Sequence, residues 1–360
     1  MKTGEQELLG NANSASGSPG APAMSPIFIL GIFPRSGTNY MHDLIRMHPE
    51  CDPESAVLHE DHLIANAHLL LKYVNAVSRW WKRRWGPAEL EAERDALCAE
   101  LGNGLVSFLA SQLERRTRVA GKNGDPRPQR RLVTKTPSVK NLELFSKFFP
   151  AGQLLILVRD GRSVVESSVK TFNQPYGYAA REWARAARVI QDFQQANPAT
   201  PYLLVRYEDL YGDVENELRR IFDYLHLDAE AYDYRSAASL PVRGSSTLRG
   251  KPASKRFSWV AGGVHWDPIE KPADFDPINR WSAWGRSRHE RFNWLAGEYL
   301  GRFGYAAKTY SGSRVFWSAW NVVQDVFCLD AATWLLRRII RRLKTSSSAG
   351  ELFASSRQRK

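Results

Sequence analysis

Arg35, Ser36, Gly37 and Thr38 stand together in Gly31-Ile-Phe-Pro-Arg-Ser-Gly-Thr-Asn39, and far downstream Val158-Arg-Asp-Gly-Arg-Ser-Val-Val-Glu-Ser167 carries Arg159 and Ser167. A tight loop of small residues, hydroxyls and a planar guanidinium fork are the groups that hold phosphate-like anions. The first stretch follows the apolar run Ile27 to Leu30 and precedes Tyr40 to Met47, whose apolar spacing predicts a helix. Strand, loop and helix start therefore aim backbone N–H groups and the positive end of a helix dipole at one spot. The loop lacks the Gly-Lys-Ser/Thr ending of a nucleotide-triphosphate loop, and its cation, Arg35, lies within the loop. Arg159 ends a second apolar run, Leu154 to Val158, which reads as a buried parallel strand. A helix is expected to open near Gly161, with Ser167 about two turns inside it. The bland readings are an ordinary strand-to-helix turn and an Arg159–Asp160 surface pair beside a serine bonded to its own helix.

Together and in this order, the two stretches resemble the sulfotransferase family, which uses 3′-phosphoadenosine 5′-phosphosulfate (PAPS). The resemblance implies that Pro34, Arg35, Ser36, Gly37, Thr38 and Asn39 hold the 5′-phosphosulfate, and that Arg159 with Ser167 holds the 3′-phosphate. Two cationic sites would then grip opposite ends of one carrier. Pro-Arg-Ser-Gly-Thr is closer to bacterial and tyrosylprotein sulfotransferases than to the cytosolic phenol and steroid enzymes, which usually carry Lys where Arg35 stands. Asn39-Tyr40 departs from the common Thr followed by an apolar residue, and a long helical insert parts the motifs. The resemblance runs from about Pro26 to Tyr305.

Sulfuryl transfer needs a base for the acceptor proton, positive charge at the transferring and bridging oxygens, and three centres in line. By resemblance the cations are Arg35 and Lys135, the latter in Leu132-Val-Thr-Lys-Thr-Pro-Ser138 just after a strand, and no metal is implied. Relatives of the tyrosylprotein type carry a glutamate shortly after the first helix and its His-Pro. Glu54, Glu60 and His59 are the candidates. Glu60 is preferred, because Leu58, Leu63 and Ile64 would desolvate it and raise its pKa. The bland role for Glu60 and Asp61 is that of acids in a helix's first turn.

Tyr207 resembles the family's tyrosine near the adenine. Leu240 to Lys251 resembles its late loop over the nucleotide, with Ser245 or Ser246 for the sulfuryl oxygens and Arg249 or Lys251 for the 3′-phosphate. Asn279-Arg280-Trp281 resembles a basic-Trp segment before the last helix, with Trp281 read as core.

The elements that must position these groups alternate. Strands are expected at Leu132 to Thr134, Gln153 to Val158 and Tyr202 to Arg206. Helices are expected from near Glu60, from Gly86-Pro87 with a break at Gly102-Asn103-Gly104, over Tyr178 to Ala196, after Asp213, and from a capping box at Ser287 to Glu290. The pattern predicts an α/β fold: a P-loop-like three-layer domain with a central mostly parallel sheet, a helical insert and a C-terminal amphipathic helix. Ligands of such sheets bind beyond the strands' carboxyl ends. Expected boundaries are a disordered tail over 1–24, the domain over 25–310 with its insert at about 60–120, the amphipathic helix over 311–345, and a second tail over 346–360.

In that last helix Phe316, Trp320, Val323, Phe327, Ala331 and Trp334 share one face, and Arg337, Arg338, Arg341, Arg342 and Lys344 come after them. Such a helix either lies on an anionic membrane or packs against the body or a second subunit. The chain of 360 residues has formal net charge +12. That suits an anionic donor or a membrane surface, and no zinc finger, RNA-binding signature or helix-turn-helix pattern supports nucleic acid. Three dispersed cysteines without a C-x-x-C pair fit a reducing compartment, and a cytoplasmic enzyme, peripheral on a membrane, is expected. Small-molecule, glycan, lipid and peptide acceptors all stay open. The competing functions are a P-loop kinase or hydrolase, which the missing loop lysine disfavours, and a non-catalytic basic membrane-surface adaptor.

Overall fold

A computed structural model describes residues 25–53, 60–81, 86–119, 130–197, 200–245, 268–327, 332 and 334–336. The chain runs β1 (Ile27–Gly31), α1 (Thr38–Arg46), α2 (Ala67–Ser78), α3 (Pro87–Val119), β2 (Val133–Thr136), α4 (Phe145–Phe148) and β3 (Gln153–Val158). It continues through α5 (Gly161–Phe172), α6 (Tyr176–Ala196), β4 (Tyr202–Arg206), α7 (Tyr207–Gly212), α8 (Val214–Leu225), α9 (Tyr234–Ala238), α10 (Arg286–Arg302) and α11 (Arg314–Val326).

The four described strands form one parallel sheet in the order β2-β1-β3-β4. β1 and β3 are unbroken apolar runs because both their faces are covered. Alternate residues divide between two cores. Phe28, Leu30, Ile156 and Val158 face α4, α5, α6 and α10, while Ile27, Ile29, Leu155 and Leu157 face α1 and α8. This is the α/β fold with a covered parallel sheet that the sequence predicts.

Three local expectations are corrected. The helix expected from Glu60 begins only at a 3₁₀ turn, Ile64–Asn66, leading into α2, so Glu60 and Asp61 precede it in irregular chain. α3 does not break at Gly102-Asn103-Gly104. A Cβ on Gly102 would lie 1.6 Å from the Phe148 carbonyl oxygen, so this glycine lets α3 lie against the end of α4. α10 starts at Arg286 after Gly285, with no side-chain cap, so Ser287 is already helical. The C-terminal helix is described over Arg314–Val326. Phe316, Trp320, Val323 and Phe327 of its apolar face are exposed, while Trp334 beyond them donates to the Asn173 carbonyl.

Candidate active site

A cavity of about 560 Å³ opens at the carboxyl edge of the sheet. Each strand supplies lining residues from the segment just beyond its carboxyl end: Arg35 and Gly37 after β1, Pro137 and Ser138 after β2, Arg159 after β3, and Tyr207 after β4. The chain leaves β1 toward β2 and β3 toward β4, in opposite directions, so the loops carrying Arg35 and Arg159 part at the crevice between neighbouring strands.

The first loop is shaped by its backbone. Gly37 has φ 100°, and a Cβ there would lie 2.3 Å from Cδ2 of Tyr207. Arg35 itself takes φ 79°, a left-handed conformation uncommon for a side-chain-bearing residue. Its guanidinium donates from Nε to Ser167 Oγ at 3.2 Å and from Nη2 to the Gly244 carbonyl. Burial, with Arg159 and Arg280 nearby, lowers its pKa to about 10. Ser36 is fully buried and its hydroxyl has no hydrogen-bond partner among the described residues. Thr38 opens α1, and Asn39 beside it lines the cavity, as does Pro34.

Arg159 is buried and spends its fork on carbonyls: Nη1 donates to Arg35 O at 2.6 Å and Nη2 to Pro277 O, while Nε has no partner among the described residues. Its guanidinium lies 4.5 Å from the centre of the Tyr207 ring. The two cationic sites expected at opposite ends of a carrier thus share one wall. Asp160 and Gly161, next in the chain, are structural. Asp160 caps α5 by accepting from Arg162 N at 2.9 Å and pairs with the Arg162 guanidinium at 2.6 Å. No room remains for a side chain at Gly161, whose Cβ would sit 2.6 Å from Trp183. The Arg159–Asp160 surface pair is therefore not what forms: Asp160 pairs with Arg162, and both are buried.

Lys135 lies inside β2, not after it, with its neighbour Thr136 paired to Leu30. It is buried behind the cavity lining, its Nζ has no hydrogen-bond partner among the described residues, and burial lowers its pKa to about 8. The charge of Glu60 supports the protonated forms of both Lys135 and Arg35. Glu60 lines the cavity with its carboxylate 3.2 Å from His62 Nε2. Its described partners, His62, Lys135 and Arg35, are ionic, whereas Leu63 and Ile64 of the apolar shell that the sequence suggests turn to the core. Ile64 is buried in the core, Leu63 packs against it, and Leu58 lies outside the described residues.

Two residues absent from the sequence-based site hold it together. Asp61 is clamped to β2: it accepts from Thr134 Oγ1 at 2.7 Å, Thr136 Oγ1 at 3.0 Å and Leu63 N at 2.7 Å, and its own N–H donates to Lys135 O at 3.1 Å. Burial raises its pKa. Arg280, which the sequence marks only as part of a basic-Trp segment, lines the cavity near Arg35 and Arg159, while Trp281 packs against the core under the Arg162 guanidinium. The described start of the late loop, 240–245, is tied to α1 by Arg243, whose Nε donates to Asp43 Oδ2 at 2.7 Å, and Ser245 lines the cavity. Glu54, His59, Ser246, Arg249 and Lys251 lie outside the described residues.

A family model described as "Sulfotransferase family" matches residues 26–231, more than half of the chain. Protein-tyrosine sulfotransferase A of Caenorhabditis elegans is 23% identical over 271 residues, 71% of this chain and 61% of the relative. Protein-tyrosine sulfotransferase 1 of Danio rerio is 24% identical over 267 residues, 71% of this chain and 65% of the relative. The chain thus spans under two thirds of the length of these curated relatives. Among solved structures, the sulfotransferase domain from the Synechococcus PCC 7002 olefin synthase aligns with TM-score 0.45 and 21% identity over 80% of this chain and 98% of that one.

Proposed function

This chain belongs to the sulfotransferase family, and we propose that it transfers a sulfuryl group from PAPS to a hydroxyl on a peptide. One observation carries the reading. Arg35, Arg159 and Arg280 line the cavity, and among the described residues the buried Arg159 Nε and, behind the lining, the Ser36 hydroxyl and Lys135 ammonium have no protein partner, a set that suits anionic oxygens. The donor fits that set. Pro34 to Asn39 with Lys135 would hold the phosphosulfate end, and Arg159, Ser167 and Arg280 the 3′-phosphate, with Tyr207 beside the nucleotide. The relatives' names, protein-tyrosine sulfotransferase, support a peptide acceptor.

When bound, PAPS supplies a sulfuryl group whose bond to the 5′-phosphate breaks as a bond to the acceptor oxygen forms. Glu60, at the cavity wall, takes the acceptor's proton. Arg35 and Lys135 offset charge that grows on the bridging oxygen, and they are worth more there than in water because both are largely withdrawn from it. Tyr207 backs the loop: its ring fills the space that Gly37 leaves open and carries the Arg159 guanidinium.

Calorimetry with 3′,5′-bisphosphoadenosine against ATP–Mg²⁺ tests the donor, and tighter binding of the bisphosphate is expected. Preference for ATP–Mg²⁺ would return the chain to the kinase or hydrolase reading. Incubating ³⁵S-labelled donor with peptide, glycan, lipid and small-molecule pools tests the acceptor. Label confined to a pool other than peptide would overturn that half alone.

A further inference from the structure

α11 is seated the wrong way round for a helix that stabilises its own domain. The side facing the body is polar. Asn321 is only 2% exposed, and the buried Arg291 of α10 donates to its carbonyl at 3.3 Å and its side-chain oxygen at 3.4 Å. Asp325 accepts from Arg291 Nη2 at 2.6 Å and Trp294 Nε1 at 2.9 Å, and pairs with Arg181 of α6. The opposite side carries Val315, Phe316, Val322, Val323, Val326 and Phe327, with Val315 79%, Val326 69% and Phe327 66% exposed. On a helical wheel these form one continuous stripe away from Asn321. Packing that stripe on the chain's own body would require breaking the Arg291 and Trp294 bonds.

We propose that this outward stripe docks on an anionic membrane surface, α11 lying in the plane of the interface. Charge selects that occupant over a second copy of the chain. Beyond α11 the sequence carries Arg337, Arg338, Arg341, Arg342 and Lys344, with no Asp or Glu from 331 to 350. A second copy carries the same cations and the same net charge of +12, so it offers no opposite charge to them, whereas anionic headgroups neutralise them. No described helix is long and apolar enough to cross a membrane, so the contact is peripheral. The membrane would lie beside the cavity's α6 wall, because Glu182 and Arg185 line that cavity and their neighbour Arg181 holds Asp325. The docking rests on the outward stripe and the cations, and stands whether or not the chain transfers sulfate.

The full chain is sedimented with vesicles of phosphatidylcholine alone and with added phosphatidylserine, and its oligomeric state is read by light scattering. The expected result is binding to the anionic vesicles only, weakening as salt rises. Phe316→Glu with Val323→Glu, both on exposed positions, is expected to reduce that binding at least about tenfold with melting temperature and bisphosphoadenosine affinity unchanged. Absence of wild-type binding overturns the proposal. So does binding that the double substitution leaves intact, or a wild-type dimer that the same substitution splits.

Discussion

Arg35 donates from Nε to Ser167 Oγ at 3.2 Å across 132 residues of chain, tying the loop after β1 to the helix after β3. Arg159 ties the same two elements from the other direction, through Nη1 to the Arg35 carbonyl at 2.6 Å. Each arginine therefore helps to set where the other stands. The two sequence motifs act as a single device.

Replacing either cation should weaken the grip on a bisphosphorylated nucleotide. Arg35→Ala and Arg159→Ala are each expected to cost about 1.5–3 kcal/mol of 3′,5′-bisphosphoadenosine affinity, the loss of one charge-assisted contact. Because Arg159 holds the Arg35 backbone, the double variant should lose less than the sum of the two. Calorimetry on the four proteins of this cycle measures both quantities. Wild-type affinity in both single variants would refute the site.

Gly37→Ala should be more disruptive than its size suggests. The position has φ 100°, and the added Cβ would lie 2.3 Å from the Tyr207 ring, so both backbone and ring must shift. We expect a stability loss of about 1–3 kcal/mol in denaturant melts, accompanied by loss of nucleotide affinity. Adding Tyr207→Ala removes the steric half only, so partial recovery is the expected outcome. Full recovery would show that the left-handed backbone is not needed.

The features legible in the sequence are those that depend on neighbours in the chain. β1 and β3 declare themselves as apolar runs, and Arg35, Gly37, Arg159 and Ser167 sit at fixed offsets from those runs. Asp61 has the look of a first-turn acid because its partners, Thr134 and Thr136, are 73 and 75 residues away on β2. Lys135 reads as a turn residue because Thr-Pro comes next, whereas pairing of Thr136 with Leu30 extends the strand past it. Arg280 gives no local signal beyond its tryptophan neighbour, since its approach to Arg159 is made by tertiary packing. The amphipathic pattern of α11 reveals two faces but not which turns inward. That choice is made by Arg291 and Trp294 on another helix.

Asp61 should behave as a positioning residue whose loss separates stability from chemistry. Asp61→Ala leaves two threonine hydroxyls and the Leu63 N–H without their acceptor, at a cost of about 2–4 kcal/mol. Asp61→Asn retains an acceptor for Leu63 N and, with the hydroxyls free to rotate, should fold nearly as well. In Asp61→Asn the rate of transfer should fall modestly, while Glu60→Gln should slow turnover severely with bisphosphoadenosine affinity preserved. Denaturant melts, calorimetry and single-turnover rates on the three variants separate these effects. Full activity in Glu60→Gln would transfer the base role to Glu54 or His59.

Lys135 makes the pH dependence specific. Burial lowers its pKa from 10.5 to about 8, so it is the charged form that the fold penalises. Below about pH 8 both folded and unfolded chains hold the proton, and the penalty is constant. Between about 8 and 10.5 the unfolded chain binds a proton that the folded chain has released, so this group's contribution to stability rises with pH across that window. Activity at low donor concentration should run the other way: kcat/KM for PAPS, which reads the free enzyme, falls as pH climbs through about 8 and the Lys135 cation is lost, whereas bound anionic donor holds the proton on and moves the fall of kcat to higher pH. Lys135→Met should be slow at every pH, lack that alkaline fall, and show a smaller gain in melting temperature between about pH 8 and 10.5 than the wild type. Rate profiles and melts across that range check both signs. A wild-type kcat/KM for PAPS that stays flat through about pH 8 would remove Lys135 from donor binding and chemistry and leave it a buried structural amine.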